Sequence, residues 1–191
     1  MILLVAGLVL FLGVHSLRIF ADDWRARQIA ARGLNPYKGI HSIGAALGLA
    51  LVVWGYALAR AEPTVLWVPP LWTRHLAATL MLPAFILLTA AYVPGTHIKA
   101  RLGHPMLLGT KVWAFSHLLA NGNLADALLF GSFLAWAIFD FRSARQRDRA
   151  ANRTYPATGW GRDLAAVAAG SGVWAFFLFY AHQWLMGVRP Y

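Results

Sequence analysis

Apolar residues run along this chain in long blocks, separated by short polar segments rich in arginine. Six blocks can be drawn: Met1 to about Phe20, Ile40–Ala59, Trp72–Val93, Pro105–Ala120, Leu124–Phe141 and Leu164–Gly187. Blocks of this length with few charges match the roughly 20 residues a helix needs to cross the hydrocarbon core of a bilayer. The pattern predicts an all-α fold, a six-transmembrane-helix bundle forming one domain over residues 1–191. Only Asn121-Gly122-Asn123 separate the fourth and fifth blocks. A polar turn that short folds two helices back on each other as an antiparallel hairpin.

Composition sharpens this picture. Of the 191 residues, 59% are hydrophobic and 13% are Asp, Glu, Lys or Arg. A soluble domain carries about twice that charged share, so a soluble globule, a disordered chain and a coiled coil are all excluded. The first block lacks the basic n-region of a secretion signal, since no Lys or Arg precedes Arg18. It is expected to be a retained membrane helix.

The charges then orient the bundle. The first loop holds Arg25, Arg27, Arg32 and Lys38, with Arg18 at its edge. The third holds Lys99 and Arg101, and the fifth holds Arg142, Arg145, Arg147, Arg149, Arg153 and Arg162. The second is poor in charge, and the fourth has none. Loops one, three and five are expected in the cytoplasm by the positive-inside rule. Both termini are then expected on the opposite side, with the lipid bilayer as the main partner. Trp67 and Trp72 sit where an aromatic belt would lie at the opposite boundary. Topology thus accounts for most of the formal charge of +10. No basic and aromatic platform for nucleic acid is present.

Chemistry must come from the few polar residues left. Cysteine is absent, which removes disulfides, thiolate zinc sites and iron–sulfur clusters. Carboxylates are scarce: Glu62 is the only Glu, and Asp126 and Asp140 sit at the ends of the fifth block. Neither paired-carboxylate acid–base work nor an all-oxygen cation site is well supplied. Seven histidines remain. His15, His117 and His182 lie inside blocks, His41 and His75 at block starts, and His97 and His104 bracket the basic third loop. An ionisable group at membrane depth faces a cavity, a partner or a cofactor. The competing reading for each is an interhelical hydrogen bond, or a wet interfacial position for His41, His75 and His97. Ser16 and Ser116, beside His15 and His117, are simplest as helix-packing hydroxyls.

Imidazole alone suits haem, whose iron two histidines from different helices can ligate while apolar helices cover the macrocycle. Trp113, His117 and Asn121 recur every four residues and share one helix face. Arg18, one turn beyond His15, and Lys111 are placed to pair with carboxylates of such a group, although Arg18 also fits a snorkelling boundary residue.

The segment from Gly103 to Gly122 (GHPMLLGTKVWAFSHLLANG) resembles the NnrU family, whose members carry an HPxxxGxxxW…HLxxxG element. Gly13-Val14-His15-Ser16 resembles the family's N-terminal histidine motif, and Ala181-His182 a weaker third one. The likeness spans essentially the whole chain. It implies an accessory role in denitrification, in the expression or maturation of nitrite and nitric oxide reductases, which would be partners. The family's relatives, the zeta-carotene isomerases, use haem b held by two histidines to isomerise a cis double bond in a carotenoid. By that likeness the cofactor is haem b, the iron ligands are His15 and His117, and a lipophilic small molecule is a possible substrate. His104, in the His-Pro element, is a rival ligand or a supporting group. Depth favours the rival. At about 1.5 Å per residue, His15 and His117 differ in depth by roughly 10 Å, whereas coaxial imidazole nitrogens stand about 4 Å apart. The His-Pro element also resembles the isoprenylcysteine-type membrane methyltransferases. Gly103 replaces their Arg, and the paired Glu residues expected downstream are missing from 142–155.

Overall fold

The computed structural model describes all 191 residues. The chain is helical apart from one isolated bridge between Val65 and Asn123. The elements are α1 (Ile2–Phe20), α2 (Asp22–Arg32), α3 (Leu34–Ala61), α4 (Leu71–Tyr92), α5 (His97–Leu102), α6 (Pro105–Ala120), α7 (Leu124–Ala150) and α8 (Trp160–Phe176). A π-helical turn at Phe177–Ala181 then joins α8 to α9 (His182–Met186).

Five helical segments are long and apolar enough to cross a membrane: α1, α3, α4, α7 and the run from α8 through α9. The fourth apolar block, α6, is a helix of only 16 residues. Pro105 opens it, where a missing N–H costs nothing, and Asn121 ends it. Helices α3 and α7 exceed their apolar blocks. Helix α3 begins at Leu34, and α7 continues through its arginines to Ala150. The first loop is largely the polar helix α2.

Only 30 of 191 residues are buried, while large apolar side chains such as Val9, Ile43, Val53, Trp54 and Trp184 are exposed. A chain in water would cover such a surface; hydrocarbon does not require it. What holds the helices together is close packing at small residues. A Cβ on Gly7 of α1 would lie 2.5 Å from the backbone N of Val52, and one on Gly48 of α3 2.7 Å from that of Phe11. Gly55 meets the backbone at Leu4 just as tightly. Helix α4 receives α6 on one side through Gly109, against Ala84 O, and α8 on another through Gly170, against Ile86. Backbones this close exchange dispersion contacts that bulkier residues would prevent.

The loop 62–70 is pinned to the 121–123 turn. The N–H groups of Leu66 and Trp67 donate to Gly122 O (2.8 and 3.1 Å), and that of Leu124 donates to Thr64 O (2.8 Å). The short turn joins antiparallel α6 and α7, as its length requires. Consequently the C-terminal end of α1, the N-terminal ends of α3 and α6, helix α5 and the arginine-rich part of α7 gather at one basic end.

Candidate functional site: a histidine-lined cavity at the basic end

The helices part at the basic end around a cavity of about 650 Å³. Helix α1 contributes Val14, His15, Leu17 and Arg18, and α3 contributes Tyr37, Lys38, His41 and Ser42. Lys99 comes from α5, His104 to Leu107 from the start of α6, and Trp136, Asp140, Ala144 and Arg147 from α7. Arg25 of α2 completes the cationic side. Five Lys or Arg side chains thus face one carboxylate, Asp140.

His15 is fixed by its own helix. Its Nδ1–H donates to the carbonyl of Phe11 at 2.6 Å. A carbonyl can only accept, so the proton is on Nδ1 and the Nε2 lone pair is left without a partner. Its ring packs against Phe11 (centroids 4.4 Å apart), edge-on to His41 (5.1 Å) and to Trp136 (6.0 Å). His41 takes the other tautomer, its Nε2–H donating to Val14 O at 3.2 Å.

His104 is oriented across the bundle. Its Nε2–H donates to Asp148 Oδ2 at 2.8 Å, and the hydroxyl of Tyr155 donates to the same carboxylate at 3.1 and 3.2 Å. Burial, followed by the hydrogen bond and charge of Asp148, pushes the Tyr155 phenol above its usual value; Arg153 opposes this. Gly103, at φ 74°, supplies the left-handed turn that sends the chain from α5 into His104 and disfavours a side chain there.

His117 is held as His15 is, with different neighbours. Its Nδ1–H donates to Trp113 O at 2.8 Å, leaving Nε2 free. Its ring stacks on Phe130 (4.6 Å) beside Trp113 (5.5 Å), and it does not line the cavity. His15 and His117 share no ring contact. An aromatic column connects them, with Phe11 near Phe133 (5.7 Å) and Phe133 near Trp113 (5.4 Å).

The structure therefore brings His15, Arg18 and His104 to one cavity and groups Trp113, His117 and Asn121 apart from it. Asn121 Nδ2 donates to His117 O at 2.9 Å. Lys111 lies over the Phe141 ring, 3.9 Å from its centroid, and not on the cavity. His97 and His182 are satisfied elsewhere, by Asp163 (2.7 Å) and by Val188 O (2.8 Å). Sequence reasoning placed His41 at a wet boundary and did not single out Trp136, Lys99, Arg147 or Asp148 as site residues. A pairwise signal was visible only for Arg147, whose spacing from Asp140 runs two turns along α7; the two stand 3.6 Å apart.

The sequence model of one family, described as NnrU protein, matches residues 3–190. The chain belongs to the NnrU family. No curated protein and no solved structure matches it. In this NnrU-family protein His104 and Pro105 lie at the cavity wall, and His117 stacks on the aromatic column.

Whether these residues suit haem can be tested on the donors themselves. An iron ligand needs an imidazole whose other nitrogen is anchored, because that bond fixes tautomer and ring orientation. His15 meets this condition on the cavity wall, with cations nearby for carboxylates and apolar faces such as Val14, Leu107 and Trp136 for a flat ring system. The residues fit such a group on the His15 side.

Proposed function

We propose that this NnrU-family protein binds haem b at the basic-end cavity and serves as an accessory to denitrification, supporting expression or maturation of nitrite and nitric oxide reductases. The observation that carries the haem reading is His15, with Nδ1 spent on Phe11 O and Nε2 free beside the cavity. His15 would hold the iron from α1. Either of two histidines would serve as a second ligand: His104 shares the cavity, and His117 has the same free Nε2. Arg18 and Lys99 would pair with the haem carboxylates, and Trp136 and Leu107 would cover the macrocycle. When bound, haem supplies an iron able to change oxidation state or to polarise an electron-rich ligand. The chain's own part is to orient the imidazole, exclude water with apolar walls and neutralise the carboxylates.

In this reading α6 completes six crossings, its short length met by local thinning or tilt of its neighbours. The basic end faces the cytoplasm and both termini face the periplasm of a bacterial inner membrane.

A second reading has support in the cavity itself. A space of about 650 Å³ bordering His15, with both apolar and cationic walls, could admit a lipophilic substrate next to the iron. That arrangement suits cis–trans isomerisation of a polyene.

Haem titration into the purified protein tests the proposal. A saturable low-spin spectrum at one haem per chain is expected, and a protein that stays colourless contradicts it. Conversion of a cis polyene by the loaded protein separates the isomerase from the accessory role.

A further inference from the structure

We infer that the mouth of the basic-end cavity is a binding site for a phosphate group, which needs no haem to bind and would compete with haem carboxylates for Arg18 and Lys99. Three observations carry this. First, the cations at the mouth outnumber their counter-ions. Arg147 has Asp140 (3.6 Å) and Arg25 has Asp22 (3.4 Å). Lys99, half-buried, has only the carbonyl of Ala91 for its Nζ at 3.2 Å. Neither Arg18 nor Lys38 has a carboxylate within salt-bridge reach. Lys99, the partly buried one of these three, is unfavourable without an anion, and a bound anion relieves it; Arg18 and Lys38 are exposed and free to reach the same anion.

Second, the cavity wall holds an unmet donor. The indole N–H of Trp136 is shut off from solvent and has no hydrogen-bond partner, alone among buried side-chain donors and acceptors. Native interiors seldom leave such a group unpaired; because solvent does not reach the nitrogen, the indole has to shift slightly before an oxygen in the cavity can meet it. Third, the site draws on five separate elements, α1, α2, α3, α5 and α7. Topology alone asks for basic residues at this end, but it does not ask that they converge on one space.

A phosphate fits this set. It offers several acceptor oxygens and up to two charges to donors arriving from different directions. Basic pockets between membrane helices on this side of a bilayer suit phosphorylated headgroups. The apolar walls at Val14, Leu17 and Leu107 would run beside the upper acyl chain of such a lipid. The chemistry is shared by a lipid phosphate and by the free ion.

Thermal unfolding of the detergent-purified protein tests this, with short-chain phosphatidic acid, short-chain phosphatidylcholine and inorganic phosphate as probes. Phosphatidic acid, a phosphomonoester with up to two charges, is expected to raise the unfolding temperature at concentrations where phosphatidylcholine, whose single phosphodiester charge is balanced by choline, does not. In Arg18→Gln/Lys99→Gln its apparent affinity should fall at least about tenfold, the loss of one or two charge-assisted contacts. Trp136→Phe should lose about threefold. Arg60→Gln, at the opposite end of α3, should match the parent. If the double variant does not fold, Arg18→Gln alone serves, since that side chain is exposed. Protection by inorganic phosphate at matching concentration assigns the site to the free ion; protection only by the lipid assigns it to a headgroup. Equal protection by phosphatidylcholine, or Arg18 variants that respond like the parent, overturns the inference. The absorption spectrum of the same samples keeps the two readings apart: a colourless protein that phosphatidic acid still protects removes haem and leaves the phosphate site standing.

Discussion

The two ends of the bundle solve opposite problems with similar residues. At the basic end the helices part, and His15, His41 and His104 border an open cavity beside five cations. At the other end they close. Asp126, only 2% exposed, accepts from the backbone N–H of Asn123 (3.3 Å), from Asn123 Nδ2 (2.9 Å) and from the Tyr56 hydroxyl. Arg60 lies over the Tyr56 ring and donates to Met186 O at 2.9 Å. The buried polar groups of this cluster have partners within the chain. The difference teaches which polar residues hold the bundle together and which are left available for something else.

If that division is right, stability and ligand binding respond to different substitutions. The largest effect is expected from Asp126→Ala, which strips the start of α7 and leaves the Tyr56 hydroxyl unmet. A loss of about 2–4 kcal/mol follows from one cap and one buried hydrogen bond. Unfolding in mixed micelles measures it, and the remaining folded protein should keep any His15-dependent spectrum. Gly55→Leu comes next, at about 1–3 kcal/mol for overpacking, because the new side chain must displace α1 at Leu4. Gly172→Ala is its control: a Cβ there meets nothing, and stability should hold or rise slightly.

Asp148→Asn is a smaller change and lies on the open side. It leaves His104 an acceptor but removes the charge. Tyr155 should then ionise at lower pH than in the parent, as a spectrophotometric titration against Tyr155→Phe would show. The sign follows from the raised phenol value. The neutral phenol is favoured in the folded state, so its contribution is full below the unfolded pKa of about 10 and is lost as pH climbs through the higher folded value. The smallest effect belongs to Lys38→Gln, exposed at the mouth, with stability within about 0.5 kcal/mol of the parent. A stability loss as large as that of Asp126→Ala would erase the distinction between the two ends.

Much of the fold was legible because hydrocarbon demands continuous apolar runs and the 121–123 turn permits only one geometry. The helical continuation of α7 through Arg142 to Arg149 was not, since hydropathy marks where a membrane ends and not where a helix does. The π turn at 177–181 left no pattern either. In the site, His15, Arg18 and His104 were visible as ionisable groups in or beside apolar runs. What stayed hidden was facing. Lipid and protein both select apolar residues, so the sequence could not show that Trp136 turns to the cavity while Trp184 turns outward. Nor could it show that Asp148, 44 residues from His104, would be that histidine's partner.

The most direct measurement compares absorption spectra of haem-supplemented wild type with His15→Ala, His104→Ala and His117→Ala. His15→Ala is expected to lose the low-spin spectrum, and one of the other two to lose it with it, while the third keeps it. A His15→Ala variant with an unchanged low-spin spectrum would contradict the assignment of the cavity histidine to iron.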